Sequence, residues 1–277
     1  MYKLIACDVD GTLLDSDFAA TDIDKEAIKL AQEAGVIFTL CSGRSYKSLT
    51  GFAEELGVWP KGNYIIGFNG GAIYDYENKR AVRQQNLDHV AGLRSVELFK
   101  RVPRKGQIEI VVYTDAESIM YEKGAEYAPT YQETSKCNWH EAEDIVKATA
   151  KAGSLAKIIF LGENHNLQQL ESELAGKLGD HTGTLFTAEY MLEVTPHLST
   201  KANGVKWLCE KHGIDISETI CIGDNHNDIS MIRAAGLGVA VANAVDAAKD
   251  AADYITINNN KNGAVAEVIS KFILNRH

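Results

Sequence analysis

No apolar stretch in this sequence approaches the roughly 20 residues that a membrane-spanning helix requires. The opening residues, MYKLIACDVDGTLL, put Asp8 and Asp10 where a secretory signal would carry its apolar segment, so a cytoplasmic protein is expected. Proline is scarce, with only 4 residues, and no Pro-rich linker divides the chain, so its domains are expected to be closely joined. The 5 cysteines, at positions 7, 41, 137, 209 and 221, are odd in number, scattered and without a CxxC pair. That argues against a disulfide framework or a zinc cage and leaves reduced, mostly buried thiols. Positive charge is also short: 28 Lys and Arg face 38 Asp and Glu, for a net charge of -10. Broad attraction to nucleic acid or to an anionic membrane is therefore not expected. A small anionic substrate stays open, because a local cluster of donors with a metal can hold a phosphate on an acidic protein.

What is present is an ordinary globular composition, 45% hydrophobic and 24% charged over 277 residues. At about 150 residues per domain, this length predicts two domains. Short apolar runs at 4–7, 36–41 and 64–68 alternate with helical patterns at 24–34 and 46–56. Such runs, ended by turns and separated by amphipathic helices, are what a parallel sheet covered on both faces requires. The rhythm returns later, with helical patterns at 202–211, 228–235 and 264–274 and apolar runs at 219–222 and 237–241. Between these ends the texture changes: 108–114, 117–122, 155–161, 183–187 and 191–195 read as strands, and 90–100, 142–150 and 166–178 as helices. The expected fold class is therefore α/β, a Rossmann-like parallel-sheet core over 1–83 and 190–277 with an α+β unit over 84–189 inserted into it. The short NNNKN tract at 258–262 reads as a polar loop.

Asp8 and Asp10 directly follow the first apolar strand, beside Gly11, and so stand at a strand's carboxyl end, where open α/β sheets bind ligands. Two carboxylates one residue apart make an oxygen-rich corner suited to Mg²⁺, and one of them could also attack phosphorus. Ser42, Gly43 and Arg44 follow the second strand and precede a helix, a setting for an anion site, although Ser42 alone reads equally as a helix cap. Asn69, with Gly70 and Gly71, ends the third apolar run in a turn. A second acidic corner, Asp224 to Asp228 with Asn227 between them, ends the 219–222 strand. One of its carboxylates could face a cation while the other works through water or orients the first. The pattern thus predicts an acidic corner at each end of one sheet. Lys201 sits just before a helix, where its charge could shield a carboxylate nucleophile from phosphate repulsion.

Taken in order, DVDGT at 8–12, Ser-Gly-Arg at 42–44, Lys201 and GDNHND at 223–228 resemble the haloacid dehalogenase (HAD) superfamily of phosphotransferases. Asn69-Gly70-Gly71, the insertion that follows, and the run from Asp228 to Ala244 look like its Cof-type branch, with an α/β cap domain of the second type (C2B). The resemblance implies that Asp8 forms an aspartyl-phosphate and that Asp10 is the general acid and base. It implies Mg²⁺ held by Asp8, Asp224 and the Asp10 backbone carbonyl, with Asp228 in support. It also implies phosphoryl oxygens held by Ser42, the Gly43 amide, Lys201 and Asn227, with Arg44 and Asn69 in the expected substrate-binding set. Ala202 and Ala242 stand where that family often has Gly, which bears on substrate choice more than on chemistry.

The implied activity is a Mg²⁺-dependent phosphatase for small phosphorylated metabolites, sugar phosphates or phosphorylated cofactors. A phosphomutase of the same superfamily is the nearest alternative. It would need a second phosphate site rich in arginine, and Arg80, Arg83, Arg94, Arg101 and Arg104 form no recognisable clamp in the sequence. A non-catalytic sugar-phosphate sensor is the alternative from another class, but binding alone has no use for a nucleophile.

Overall fold

The computed structural model describes residues 1–57, 64–101, 108–115, 118–131 and 137–274. The chain divides into two compact units, Met1–Arg83 with Thr200–His277, and Gln84–Ser199. It opens with β1 (Leu4–Cys7), α1 (Asp22–Glu33), β2 (Ile37–Leu40), α2 (Tyr46–Leu56), β3 (Tyr64–Gly67), β4 (Ala72–Asp75) and β5 (Arg80–Gln84). The second unit carries α3 (His89–Arg101), β6 (Ile108–Tyr113), β7 (Ser118–Glu122), β8 (Asn138–Ala142), α4 (Ile145–Lys151), β9 (Lys157–Gly162), α5 (Asn164–Leu174), β10 (Thr182–Ala188) and β11 (Met191–Pro196). The chain then returns through α6 (Lys201–His212), β12 (Thr219–Gly223), α7 (Ile229–Ala234), β13 (Leu237–Ala240), α8 (Asp246–Lys249), β14 (Tyr254–Ile255) and α9 (Ala264–Phe272).

In the first unit a five-stranded sheet runs β14-β13-β12-β1-β2, with every pairing parallel. All four residues of β1, Leu-Ile-Ala-Cys, are fully buried, as expected of a central strand covered by helices on both faces. Ile5 and Cys7 pack into one core with α1 and α9, while Leu4 and Ala6 face the other with α6. Helix α1 is anchored at its start by Thr21, which accepts from the Asp24 amide. Asp24, itself buried, accepts from the Ala266 amide at 2.7 Å. A residue of α1 thus serves the N-terminus of α9, whose own cap position is Gly263 and offers no side chain.

Three expectations change. The two acidic corners do not lie at opposite ends of the sheet: β1 and β12 are neighbours, with Cys7 in register with Ile222. A chain that crosses from β1 to β2, leaves, and returns on the other side of β1 sets its first returning strand, β12, beside β1. Strand β3 does not join the parallel sheet as a strand; it pairs antiparallel with β4, and it meets the β2 side through an isolated bridge from Ile66 to Cys41, just past β2, and a side-chain bond from Thr39 to the Tyr64 carbonyl. The 84–189 range for the inserted unit ends too early, because Met191–Pro196 pairs with β10 and β9 inside the second sheet.

That second sheet runs β10-β11-β9-β6-β7-β8 and is antiparallel except where β7 meets β8. Its core is built from alternate positions such as Ile110, Val112, Ile158, Phe160, Leu192 and Val194, packed with Val96, Leu167 and Leu170. The unit therefore has a hydrophobic centre of its own. Among the described residues, Cys7, Cys41, Cys209 and Cys221 are buried and all five cysteines are free.

Candidate active site

The site grows from the carboxyl ends of β1 and β12. The Asp8 amide donates to the Ile222 carbonyl at 2.9 Å, which continues the parallel pairing by one residue and sets Asp8 beside the β12 terminus. The chain then turns at Gly11 (φ +80°), where a Cβ would lie 2.6 Å from Asp224 Oδ2. Only glycine permits both that backbone conformation and that approach. Thr12 Oγ1 then donates to Asp224 Oδ1 at 2.7 Å, so the first corner holds the second in place.

Lys201 is the first residue of α6, not a residue preceding it, and is completely buried. Its Nζ lies 2.5 Å from Asp8 Oδ1 and also donates to Asp228 Oδ1. The other Asp228 oxygen accepts from the Asp224 and Asn225 amides, both at 2.9 Å. Asp228 therefore closes the turn and anchors Lys201 at once. Close backbone packing brings α6 here: a Cβ on Gly70 would lie 2.1 Å from the Thr200 carbonyl oxygen, and one on Gly204 would lie 2.5 Å from Ile66 Cγ2.

Ser42 is buried, its amide donates to the Ile66 carbonyl, and its Oγ accepts from the Arg44 amide at 3.2 Å. It does not cap the next helix; Ser45 does, by accepting from the Ser48 amide. Asn69 is buried in the left-handed region (φ 53°), and its Oδ1 accepts from Asn227 Nδ2 at 3.0 Å. A Cβ on Gly43 would lie 3.3 Å from that same Asn69 amide. The Asn69 backbone amide also donates to the Ser42 carbonyl at 3.0 Å, so Ser42, Asn69 and Asn227 are joined by hydrogen bonds and Gly43 packs against Asn69.

Arg44 grips Asp10 through two bonds of 2.7 Å, Nε to Oδ2 and Nη2 to Oδ1, and its guanidinium lies over the Phe18 and Phe52 rings at 5.2 and 5.4 Å. The Asp10 side chain accordingly stands apart from the acidic cluster. That cluster is Asp8, Asp224 and Asp228, with one oxygen from each within 4.8 Å of the others. His226 is not part of it.

The cluster is short of positive charge. Burial first, and then the Asp228 charge, hold the Asp8 carboxyl well above the usual carboxylate range, against the pull of Lys201. Burial and Asp228 likewise push Asp224 up to about 6, opposed by the Thr12 hydrogen bond. Burial disfavours the Lys201 ammonium, but Asp228 and Asp8 more than reverse this and raise its pKa. Three carboxylates face one ammonium in this largely buried corner, a deficit of positive charge that penalises their full ionisation, with oxygen donors on several sides. That donor set and that deficit fit a hard divalent cation.

Three side chains here carried no expected role: Thr12, Asn243 and Asn260. Asn243 Nδ2 donates to the Gly11 carbonyl at 2.7 Å, and Asn260 Nδ2 donates to the Leu14 carbonyl at 2.8 Å. Thr12 lies within the DVDGT motif and Asn243 within the Asp228–Ala244 run, though no role was expected of either, while Asn260 is more than 200 residues from its partner and has no local signal.

The family model for haloacid dehalogenase-like hydrolases matches residues 5–269. A haloacid dehalogenase-like hydrolase of known structure from Bacteroides thetaiotaomicron is 32% identical, with a TM-score of 0.86 over 99% of this chain and 100% of its own. YxeH of Bacillus subtilis (strain 168) is 29% identical over 99% of both chains. YwtE of the same organism, a 5-amino-6-(5-phospho-D-ribitylamino)uracil phosphatase by name, is 26% identical over 94% of this chain and 95% of its own. The likeness runs through both units and both acidic corners: the chain belongs to the haloacid dehalogenase-like hydrolases, in the Cof-type branch that its motifs resemble.

Proposed function

We propose that this hydrolase is a Mg²⁺-dependent phosphatase of small phosphorylated metabolites that works through an aspartyl-phosphate on Asp8. Phosphoric monoester hydrolysis is the activity for which its relatives are named, and it is the enzyme's class. The observation that carries the finer reading is the buried Lys201 between Asp8 and Asp228, with Asp224 alongside. A binding protein gains nothing from burying an ammonium against a carboxylate, whereas a carboxylate that must attack a phosphate dianion needs its charge screened.

Asp8, Asp224 and the Asp10 carbonyl, supported by Asp228, would hold Mg²⁺, which supplies the remaining charge neutralisation for an anionic phosphate. The residues of the chain then act in two steps. A carboxylate oxygen of Asp8 attacks phosphorus, the bond from phosphorus to the ester oxygen breaks, and the Asp10 carboxyl gives its proton to the departing oxygen. Asp10, now a carboxylate, takes a proton from water as that water attacks the phosphoryl group, which releases phosphate and restores Asp8. Both Asp10 oxygens are held by Arg44 in this structure, so proton donation requires the fork to release one of them. Lys201, Ser42, the Gly43 amide and Asn227 orient the phosphoryl oxygens, and Asn69 orients Asn227.

Sugar phosphates and phosphorylated cofactors are the substrates we expect, in line with the phosphoribityl compound named for YwtE. A mutase finds less support: Arg80 and Arg83 lie on β5, Arg94 and Arg101 on α3, and Arg104 falls outside the described residues. Phosphate release from a panel of sugar phosphates, nucleotides and phosphorylated cofactors, with Mg²⁺ or EDTA, tests the proposal. Release that requires Mg²⁺ and disappears in Asp8→Asn is expected. A stable Asp8 phosphate, or isomerisation without release, would overturn it.

A further inference from the structure

We propose that Asn243 is a positioning residue for the nucleophile turn, and that it works as a strap across the ends of β1 and β12. The proposal rests on the phosphatase reading. The turn after Asp8 is closed by its own backbone: the Leu13 and Leu14 amides donate to the Val9 carbonyl at 3.1 and 2.8 Å, and the Gly11 amide donates to Leu14 at 3.2 Å. Those bonds fix the turn's shape but not its direction. The Gly11 carbonyl accepts from the Asn243 side-chain amide at 2.7 Å, and the Leu14 carbonyl, already bonded to the Gly11 amide, accepts also from the Asn260 side-chain amide at 2.8 Å, both from far along the chain.

The two asparagines are joined. The Asn260 amide donates to Asn243 Oδ1 at 3.1 Å, which fixes the Asn243 amide with its nitrogen toward Gly11. Asn260 is buried, whereas Asn243 is exposed, so an exposed side chain is held in one orientation by a buried neighbour. The segment that carries Asn243 is itself tied to the second acidic corner: the Val241 amide donates to the Gly223 carbonyl at 3.2 Å and the Val245 amide to the Asp224 carbonyl at 2.9 Å. One five-residue segment therefore sets the Gly11 peptide relative to Asp224, between the two acidic corners. Asp10 and Thr12 hang on the turn that Asn243 holds, while Asp8 is kept on the β12 terminus by its own amide, so release of the Asn243 bond lets Asp10 and Thr12 drift relative to Asp8.

The test uses the full-length protein and p-nitrophenyl phosphate as probe. Asn243→Ala is expected to lower kcat about 10- to 100-fold with KM changed by less than about threefold, since misplacement of reacting groups by about 1 Å costs this much. Asn243→Asp retains the acceptor for Asn260 but has no N–H to give Gly11, and is expected to fall as far. Hydrogen exchange at the Gly11, Leu13 and Leu14 amides should speed up in both variants while β1 and β12 keep their protection. Unchanged kcat in Asn243→Ala, or full activity in Asn243→Asp, would overturn the proposal, because the side chain would then serve only the 258–262 loop. If the parent hydrolyses no phosphomonoester while both variants loosen the turn, the phosphatase reading fails and the strap stands.

Discussion

Replacing Lys201 by methionine removes the one positive charge from a fully buried site and leaves Asp8 and Asp228 with no cation between them. Breaking a buried ion pair by deleting one partner costs about 3–5 kcal/mol, because a charge is left without compensation. A smaller term has the opposite sign: Lys201 opens α6, where the helix dipole disfavours a cation by about 0.3–1 kcal/mol, and methionine is relieved of that. The net cost for Lys201→Met is therefore about 3 kcal/mol in EDTA at neutral pH. Removing a second charge should restore much of it. Asp228→Asn retains an oxygen for the Asp224 and Asn225 amides, so the double variant Lys201→Met/Asp228→Asn is expected to recover at least half of the lost stability while remaining inactive. Urea unfolding read by hydrogen exchange in peptides from β1 and β12 reports on the first unit by itself. A loss below about 1 kcal/mol in the single variant, or a double variant less stable than the single one, would refute the charge-compensation argument.

Two further outcomes follow from the same cluster. Asp8 and Asp224 have raised pKa values, Asp224 from 3.8 to about 6, so the stability that Asp224 contributes is complete below pH 3.8 and is lost as pH rises through 6, and that of Asp8 is likewise lost as its raised pKa is passed. Thermal melts should accordingly show a larger Tm gain from Mg²⁺ at about pH 7.5 than at about pH 5, since a bound cation stabilises by mass action and does so most where the carboxylates are ionised; equal gains at both pH values would contradict it. Gly11→Ala forces a Cβ to within 2.6 Å of Asp224 Oδ2 at φ +80°, at a backbone cost of about 1 kcal/mol, and should weaken Mg²⁺ binding in a calorimetric titration, whereas unaltered binding would refute the close approach.

The central parallel sheet was legible because its strands announce themselves: Leu4–Cys7 and Thr219–Gly223 are largely apolar runs ended by acidic turns, and α1 and α9 carry clear apolar faces. Strands without such runs were not. Asn138–Ala142 is an edge strand with three exposed residues, and Arg80–Gln84 has only the adjacent pair Ala81 and Val82 as apolar residues, so neither shows the alternation by which a strand is recognised. The site divides the same way. Asp8, Asp224 and Asp228 follow strand ends and read as two acidic corners at opposite ends of the sheet, which the family resemblance alone joins through Mg²⁺. The pairing of Asp10 with Arg44 and the hold of Asn243 and Asn260 on the nucleophile turn depend on how strands are ordered, which no local spacing contains.

The cluster breaks three ordinary rules of stability in one place. A lysine is wholly buried, it opens a helix at the end where the dipole disfavours a cation, and two of its carboxylate neighbours are held above their usual range. Each has a local remedy, but the remedies are the same few groups: Lys201 answers Asp8 and Asp228, and Asp228 answers both Lys201 and the turn amides. A site stabilised this way cannot lose one member cheaply, yet it can lose several together. Concerted neutralisation therefore separates the two demands on the first unit. If folding alone had shaped this corner, apolar side chains of similar volume would fill it at no loss; that charges stand there instead fits the proposed work of holding a cation and a phosphate against an anionic nucleophile.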